Sequence, residues 1–327
     1  MDAVPLVVSA TGSGGGLTTG DPPGAPLLPA GSLRPYAGPV SATEEYTQEF
    51  VDVDGARLGV QVYPEPAGPA DAPVVVIWPA MGVRARYYRP FAAALRAAGL
   101  AVVVADLRGT GASTPTPSRA CRYGYAELAA DVGAVLAALK PRLDGRPTVL
   151  LGHSLGGQAA LLHLALRGTD AVDGLALVAV GMPHWREYPS PRRYGVLPYT
   201  QAIAATARLL GVWPGWGFGG RQARGVIRDW AHTARTGRFP ALDGVDVEAA
   251  LRTLDVPVLA VSVDDDQYTP HATLDHLCGK LAAATVARER YTTAQAGAPL
   301  DHFVWVRAAA PVAARVAAFA AGLPRRG

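Results

Sequence analysis

Thr148-Val-Leu-Leu-Gly-His-Ser-Leu-Gly-Gly-Gln158 is the stretch that decides how this chain folds. Four strand-forming residues enter the turn Gly152-His153-Ser154-Leu155-Gly156, and an Ala/Leu-rich run over 158–167 leaves it with helical spacing. G-x-S-x-G between a strand and a helix is the nucleophile-elbow pattern. A serine in so sharp a turn has a strained backbone, and glycines two residues to either side let the chain fold back where a Cβ would clash. The helix that follows points its first N–H groups and its positive dipole end at Ser154. A serine hydroxyl is a poor nucleophile at neutral pH, so the rest of the chain has to supply a base and a carboxylate.

The 327 residues are half apolar and 17% charged, which fits a large globular core with room for an insertion. A net charge of +3, with Arg far outnumbering the two lysines Lys140 and Lys280, is too small an excess for nucleic-acid binding. The two cysteines, Cys121 and Cys278, do not make a disulfide framework and are expected as free thiols. The first ten residues carry an acid where a signal peptide needs bases, and no apolar run approaches the roughly 20 residues of a membrane span. A cytoplasmic, soluble protein is expected. Residues 1–42, rich in Gly, Pro, Ser and Thr and without periodicity, read as a disordered leader.

From residue 44 the pattern becomes regular. Two alternating runs, 44–53 and 56–63, flank Asp54-Gly55 and predict a hairpin. Continuous apolar runs at 73–78, 100–105, 148–151, 174–180 and 256–263 predict parallel strands buried on both faces. Helices are expected over 87–98, 127–140, 158–167, 271–284 and 308–321, with a last strand at 286–291. Alternating strands and helices of this kind make a mostly parallel, doubly wound α/β sheet. Residues 183–250 break the alternation. They hold four of the six tryptophans, Trp185, Trp213, Trp216 and Trp230, and helical stretches at 200–210 and 223–236. They read as an inserted helical cap on a core formed by 43–182 and 251–327.

Catalytic groups of open parallel sheets collect at the carboxyl ends of the strands. The strand ending at Val263 runs into Asp264-Asp265-Asp266-Gln-Tyr-Thr-Pro270, and the loop after the last strand leads to His302-Phe303. The chain order is therefore serine, one of three acids, histidine.

These residues resemble the α/β-hydrolase fold superfamily, in its serine esterase, lipase and peptidase-like branch, over roughly 44–182 and 251–327. The resemblance implies an acid four residues before a proline, Asp266 ahead of Pro270, with Asp264 and Asp265 as neighbours that could substitute. It implies His302 as the base and Ser154 as the nucleophile. It implies an oxyanion hole from the backbone N–H groups of Leu155 and Met81, although Pro79-Ala80 stands where many relatives have His-Gly. Asp106-Leu-Arg-Gly-Thr-Gly-Ala-Ser113 resembles a structural turn of the same superfamily. Dehalogenases and epoxide hydrolases of this fold carry Asp at the nucleophile position, so Ser154 excludes them. The expected activity is hydrolysis of a carboxylic ester, thioester or amide. Acyl transfer by a tailoring thioesterase or cyclase, or a non-catalytic binding module, are the alternatives. No cofactor is expected. His163, His184, His232, His271 and His276 show no metal-ligand spacing, so no metal is expected either. His153 is expected to pack into the sheet. The cap aromatics, as a set, point to a small-molecule acyl substrate of apolar or aromatic character, and Arg84, Arg86, Arg89, Arg192, Arg193 and Arg221 read as solvated surface.

Overall fold

The computed structural model of the protein describes residues 33–35 and 46–324. The expected disordered leader, 1–42, lies outside the described residues except for Leu33–Pro35 (β1), which pairs antiparallel with β2, Thr47–Val53. The hairpin partner β3, Ala56–Val62, closes across Asp54-Gly55, with Gly55 at a φ of 66°. Then follow β4 (Val74–Trp78), α1 (Arg89–Ala97), β5 (Ala101–Ala105), α2 (Tyr125–Leu143), β6 (Thr148–His153), α3 (Leu155–Arg167) and β7 (Gly174–Val178). The segment 183–250 contributes α4 (Arg193–Leu210), the short β8 (Val212–Trp213) and β9 (Gln222–Ala223), α5 (Arg224–Thr236) and the start of α6 (Val247–Thr253). The chain closes with β10 (Val258–Val263), α7 (His271–Cys278), β11 (Val286–Tyr291), α8 (Thr293–Ala296) and α9 (Ala310–Ala321).

Nine described strands form one sheet in the order β1-β2-β3-β5-β4-β6-β7-β10-β11, antiparallel through β3 and parallel from β5 to β11. This is the α/β-hydrolase fold. The five central strands β4, β5, β6, β7 and β10 are buried along their whole length, as their unbroken apolar runs require. Alternate residues feed two cores: Val74, Val76 and Trp78 pack with α2 and α3, while Val75 and Ile77 pack with α1 and α9. Strand β11 ends the sheet with exposed Arg288, Glu289 and Arg290, a charged edge that discourages pairing with another chain.

Two helices run past prolines where the sequence suggested an end or a later start. Helix α2 continues through Pro141 to Leu143, and α4 begins at Arg193, seven residues before the expected start, with Pro198 inside it. A proline leaves the carbonyl four residues earlier without its donor. Those residues, Ala137 and Tyr194, are exposed, so water can satisfy them. Helix α7 is shorter than expected, stopping before Gly279. No separate core forms in 183–250: Ile203, Ala207, Trp213, Val226, Ile227 and Trp230 join the cluster of α2 and α3. The Asp229 carboxylate fastens α5 to the start of α2 by accepting from the Tyr125 amide at 2.9 Å.

The chain passes from β4 to β5 on one side and from β6 to β7 on the other, so the strand order reverses at the β4/β6 boundary. Trp78 pairs with Gly152 there. Crevices at such a reversal are where ligands of open α/β sheets bind.

Candidate active site

Ser154 stands between β6 and α3 with φ 53° and ψ −122°, a region that costs a non-glycine residue on the order of 1–3 kcal/mol. Its side chain is partly exposed while its neighbours on both sides are buried. The flanking glycines are steric necessities. A Cβ on Gly152 would lie 2.1 Å from Gly157 Cα, and one on Gly156 would lie 2.2 Å from the Trp78 carbonyl oxygen. The second contact brings the first turn of α3 against the loop that leaves β4.

The three aspartates after β10 separate cleanly. Asp264 pairs with Arg290 and accepts from the Thr293 amide. Asp265 is exposed, with a φ of 58°. Asp266 is buried, and its Oδ2 accepts from His302 Nδ1 at 2.8 Å and from the Thr269 hydroxyl at 2.6 Å. Its Oδ1 takes the amides of Tyr268 and Thr269 at 2.8 and 2.7 Å. Burial pushes this carboxyl up, but His302 and the Thr269 hydrogen bonds outweigh it, and its pKa lies below the ordinary carboxylate value. The bond to Asp266 places the hydrogen of a neutral His302 on Nδ1 and leaves Nε2 as the basic nitrogen. Asp266 stands just past the end of β10, and His302 lies in the loop that follows β11 and α8. Ser154 Oγ makes no hydrogen bond to His302 among the described residues, and such bonds often form only with substrate present.

The loop after β4 is braced from two sides. Tyr88 Oη accepts from the Ala80 amide at 2.9 Å, and the Asp106 carboxylate accepts from the Ala85 amide at 2.6 Å and from Ala112 at 2.9 Å. Burial raises the Asp106 carboxyl to about 6, against the pull of these amides and of Arg84 and Arg86. The turn from Asp106 to Ser113 is structural in this way, and its Arg108 forms a buried ion pair with Asp131. With the Ala80 amide occupied, the amides of Met81 and Leu155 are left without a protein acceptor among the described residues. Gly82, at φ 71°, and Met81 press on the loop between β8 and β9: a Cβ on Gly82 would lie 2.3 Å from the Gly219 carbonyl, and one on Gly219 would lie 2.6 Å from Met81 Sδ.

Three further residues, His153, Tyr88 and Tyr268, lie around the same site. His153, expected only to pack, is fully buried, and its Nδ1 lies 2.6 Å from Tyr88 Oη. Burial, reinforced by the nearby His302, holds its imidazole well below the usual range, so it is neutral. The Tyr88 hydroxyl accepts from Ala80 and has its own hydrogen free to donate to Nδ1 of the neutral His153. The two histidine rings, 153 and 302, are 4.8 Å apart between centroids. Tyr268, two residues past Asp266, lies with its ring 5.2 Å from that of His302 and 6.1 Å from Phe218, which in turn is 4.8 Å from Trp230. The aromatics of 183–250 thus reach the histidine through Tyr268. Position beside the acid was the one signal for Tyr268, while Tyr88 carries no signal in sequence.

Cys121 and Cys278 are buried free thiols, with burial raising the Cys278 thiol to about 11. Arg192 and Arg221 are engaged by Gln267 Oε1 and the Pro117 carbonyl, both at 2.6 Å. His184 and His276, without ligand spacing in sequence, converge on Glu187 in space. No helix among the described residues is long and apolar enough to cross a membrane.

Comparison with known proteins agrees with this fold. The chain is 28% identical over 237 residues, 67% of its length and 84% of the relative's, to the "Putative carbamate hydrolase RutD" of Variovorax paradoxus. In fold it is similar to Est1E of Butyrivibrio proteoclasticus, solved with ferulic acid bound, with a TM-score of 0.56, 18% identity and coverage of 82% of this chain and 96% of that one. The thioesterase domain of the curacin biosynthetic pathway superposes with a TM-score of 0.55 at 18% identity, covering 84% of this chain and 99% of that one. The model of the serine aminopeptidase family S33 matches residues 69–295, and the chain therefore belongs to that family of α/β-hydrolase enzymes.

Proposed function

We propose that this protein is a serine hydrolase that cleaves a carboxylic ester, thioester or amide through an acyl-enzyme on Ser154, with residues 183–250 as a cap over the site. The observation that carries the reading is the buried Asp266–His302 hydrogen bond of 2.8 Å at the sheet edge where Ser154 occupies its strained turn. His302 Nε2 takes the Ser154 proton as Oγ attacks the carbonyl carbon. The amides of Leu155 and Met81 donate to the oxyanion, which is worth roughly 3–4 kcal/mol per donor in the transition state. Collapse of the tetrahedral adduct expels the alcohol, thiol or amine, which receives the proton from His302. Water, deprotonated by His302, then attacks the acyl carbon, and collapse returns the proton to Ser154 Oγ. Asp266 orients the imidazole throughout and offsets the charge it gains.

The array Tyr268, Phe218, Trp230 supports an apolar or aromatic acyl group as the substrate portion next to His302. The names of the similar proteins make aryl esters, thioesters and carbamates the compounds to profile. A fluorophosphonate probe is expected to label the wild type at Ser154, and not Ser154→Ala. A folded wild type that stays unlabelled, alongside a reactive control hydrolase, would sink the proposal.

A further inference from the structure

Beyond the elbow lies a second cluster with chemistry of its own. His184 follows β7, Glu187 ends the short 3-10 turn Trp185–Glu187, and His276 is on α7. His184 Nδ1 and His276 Nδ1 lie 3.4 and 3.2 Å from the same atom, Glu187 Oε1. His276 Nε2 is 2.9 Å from the Gly237 carbonyl, which can only accept, so that nitrogen carries the hydrogen. His276 Nδ1 then faces Glu187 Oε1 directly, a position that a proton or a bridging cation can fill.

We infer that His184 Nδ1, Glu187 Oε1 and His276 Nδ1 form a binding site for a divalent transition metal ion, zinc foremost, that clips the segment after β7 to α7. Three lines of geometry and chemistry carry this. Ligands held at 2.0–2.1 Å around a tetrahedral ion stand about 3.3–3.4 Å apart, and Glu187 Oε1 lies 3.2 Å from His276 Nδ1 and 3.4 Å from His184 Nδ1; the three donor atoms lie within 4.8 Å of one another, so an ion would draw the two histidines together by a side-chain adjustment. Two imidazoles and one carboxylate are a borderline donor set that suits zinc, cobalt or nickel, whereas calcium and magnesium prefer oxygen alone. The hydrogen bond from His276 Nε2 to a backbone carbonyl is the orienting contact that ligand histidines ordinarily make with their second nitrogen.

The surroundings tolerate a cation. The side chains of Glu187 and His276 are 28% and 27% exposed, which leaves open positions for water. Lys280 also reaches the Gly237 carbonyl, but its ammonium is paired with Glu248 Oε2 at 2.8 Å. Gly237 itself, at φ 68°, preserves the space, since a Cβ there would lie 2.9 Å from His184 Nδ1.

The test uses the full chain without a histidine tag, stripped with a chelator and dialysed. Calorimetric titration with zinc chloride is expected to show one ion per chain, and cobalt(II) to give the intense visible absorption of four- or five-coordinate sites. Glu187→Gln and His276→Gln, each confirmed folded by circular dichroism, are expected to weaken zinc binding at least tenfold, while His232→Gln is expected to leave it unchanged. Failure of the wild type to bind zinc saturably overturns the inference, as does affinity unchanged in the folded variants. Should the variants not fold, the wild-type cobalt spectrum decides alone, because weak octahedral bands overturn the site.

Discussion

Tyr88→Phe removes one oxygen and leaves two buried polar groups stranded. In the wild type that oxygen takes the Ala80 amide at 2.9 Å and donates to His153 Nδ1 at 2.6 Å. Tyr88 and His153 have no exposed surface and Ala80 almost none, so water does not replace it. Each stranded group costs about 1–3 kcal/mol, and the pair together about 2–6 kcal/mol of a total stability on the order of 5–15 kcal/mol. Urea denaturation should show that loss as a lower midpoint with the slope unchanged. The kinetic consequence follows from chain geometry, because Ala80 precedes the Met81 amide proposed to hold the oxyanion. A donor moved out of alignment, rather than removed, should lower kcat about 10- to 100-fold with KM little changed, the full loss being about 3–4 kcal/mol. Both are measured on an aryl acetate. Adding His153→Leu to Tyr88→Phe removes one of the stranded groups, so the double variant should be less unstable than the sum of the singles. A Tyr88→Phe protein within 0.5 kcal/mol of the wild type and with unchanged kcat would refute the bracing role.

Ser154→Gly should abolish turnover and raise stability by about 1 kcal/mol, since glycine occupies the positive-φ turn without strain; a destabilised variant would contradict the strain. Asp266→Asn should leave the fold intact and lower kcat about 10⁴-fold, the size of effect seen when the base loses its orienting carboxylate; an ordinary kcat would return the role to Asp264 or Asp265. Stability should depend on pH through His163, whose imidazole burial pushes down to about 4. The unfolded chain takes up that proton first, near 6.5, so the contribution is complete above about pH 6.5. It is lost as pH falls toward 4, to a total of about 3 kcal/mol. Denaturation midpoints across that window should show the decline, and His163→Gln should flatten it; an identical slope would remove His163 from the account.

The sheet was legible because its central strands are buried on both faces and therefore read as unbroken apolar runs. An acid from 264–266 and His302 could be expected together because the parallel sheet delivers strand ends to one edge, and Asp266 and His302 are hydrogen-bonded there. Choosing among Asp264, Asp265 and Asp266 from the residues alone was not possible, since the difference lies in the Arg290 partner of one and the amide cage of another. Helix limits at Pro141 and Pro198 were hidden for a related reason: tolerance of an internal proline depends on whether the orphaned carbonyl faces water. Tyr88, Tyr268 and the Glu187 cluster depend on contacts between residues far apart in the chain, or on a side chain's direction, and neither leaves a local pattern.

The contact between Gly82 and Gly219 bears on how such enzymes diversify. Backbone touches backbone there with no side chain to yield, so the proposed cap is mechanically continuous with the loop proposed to stabilise charge. Grafting the inserted segment of a relative onto this scaffold would exchange more than a specificity module. It would also reset the alignment of the Met81 amide, and a chimaera that binds its new substrate well while turning it over slowly is the expected product of such a swap.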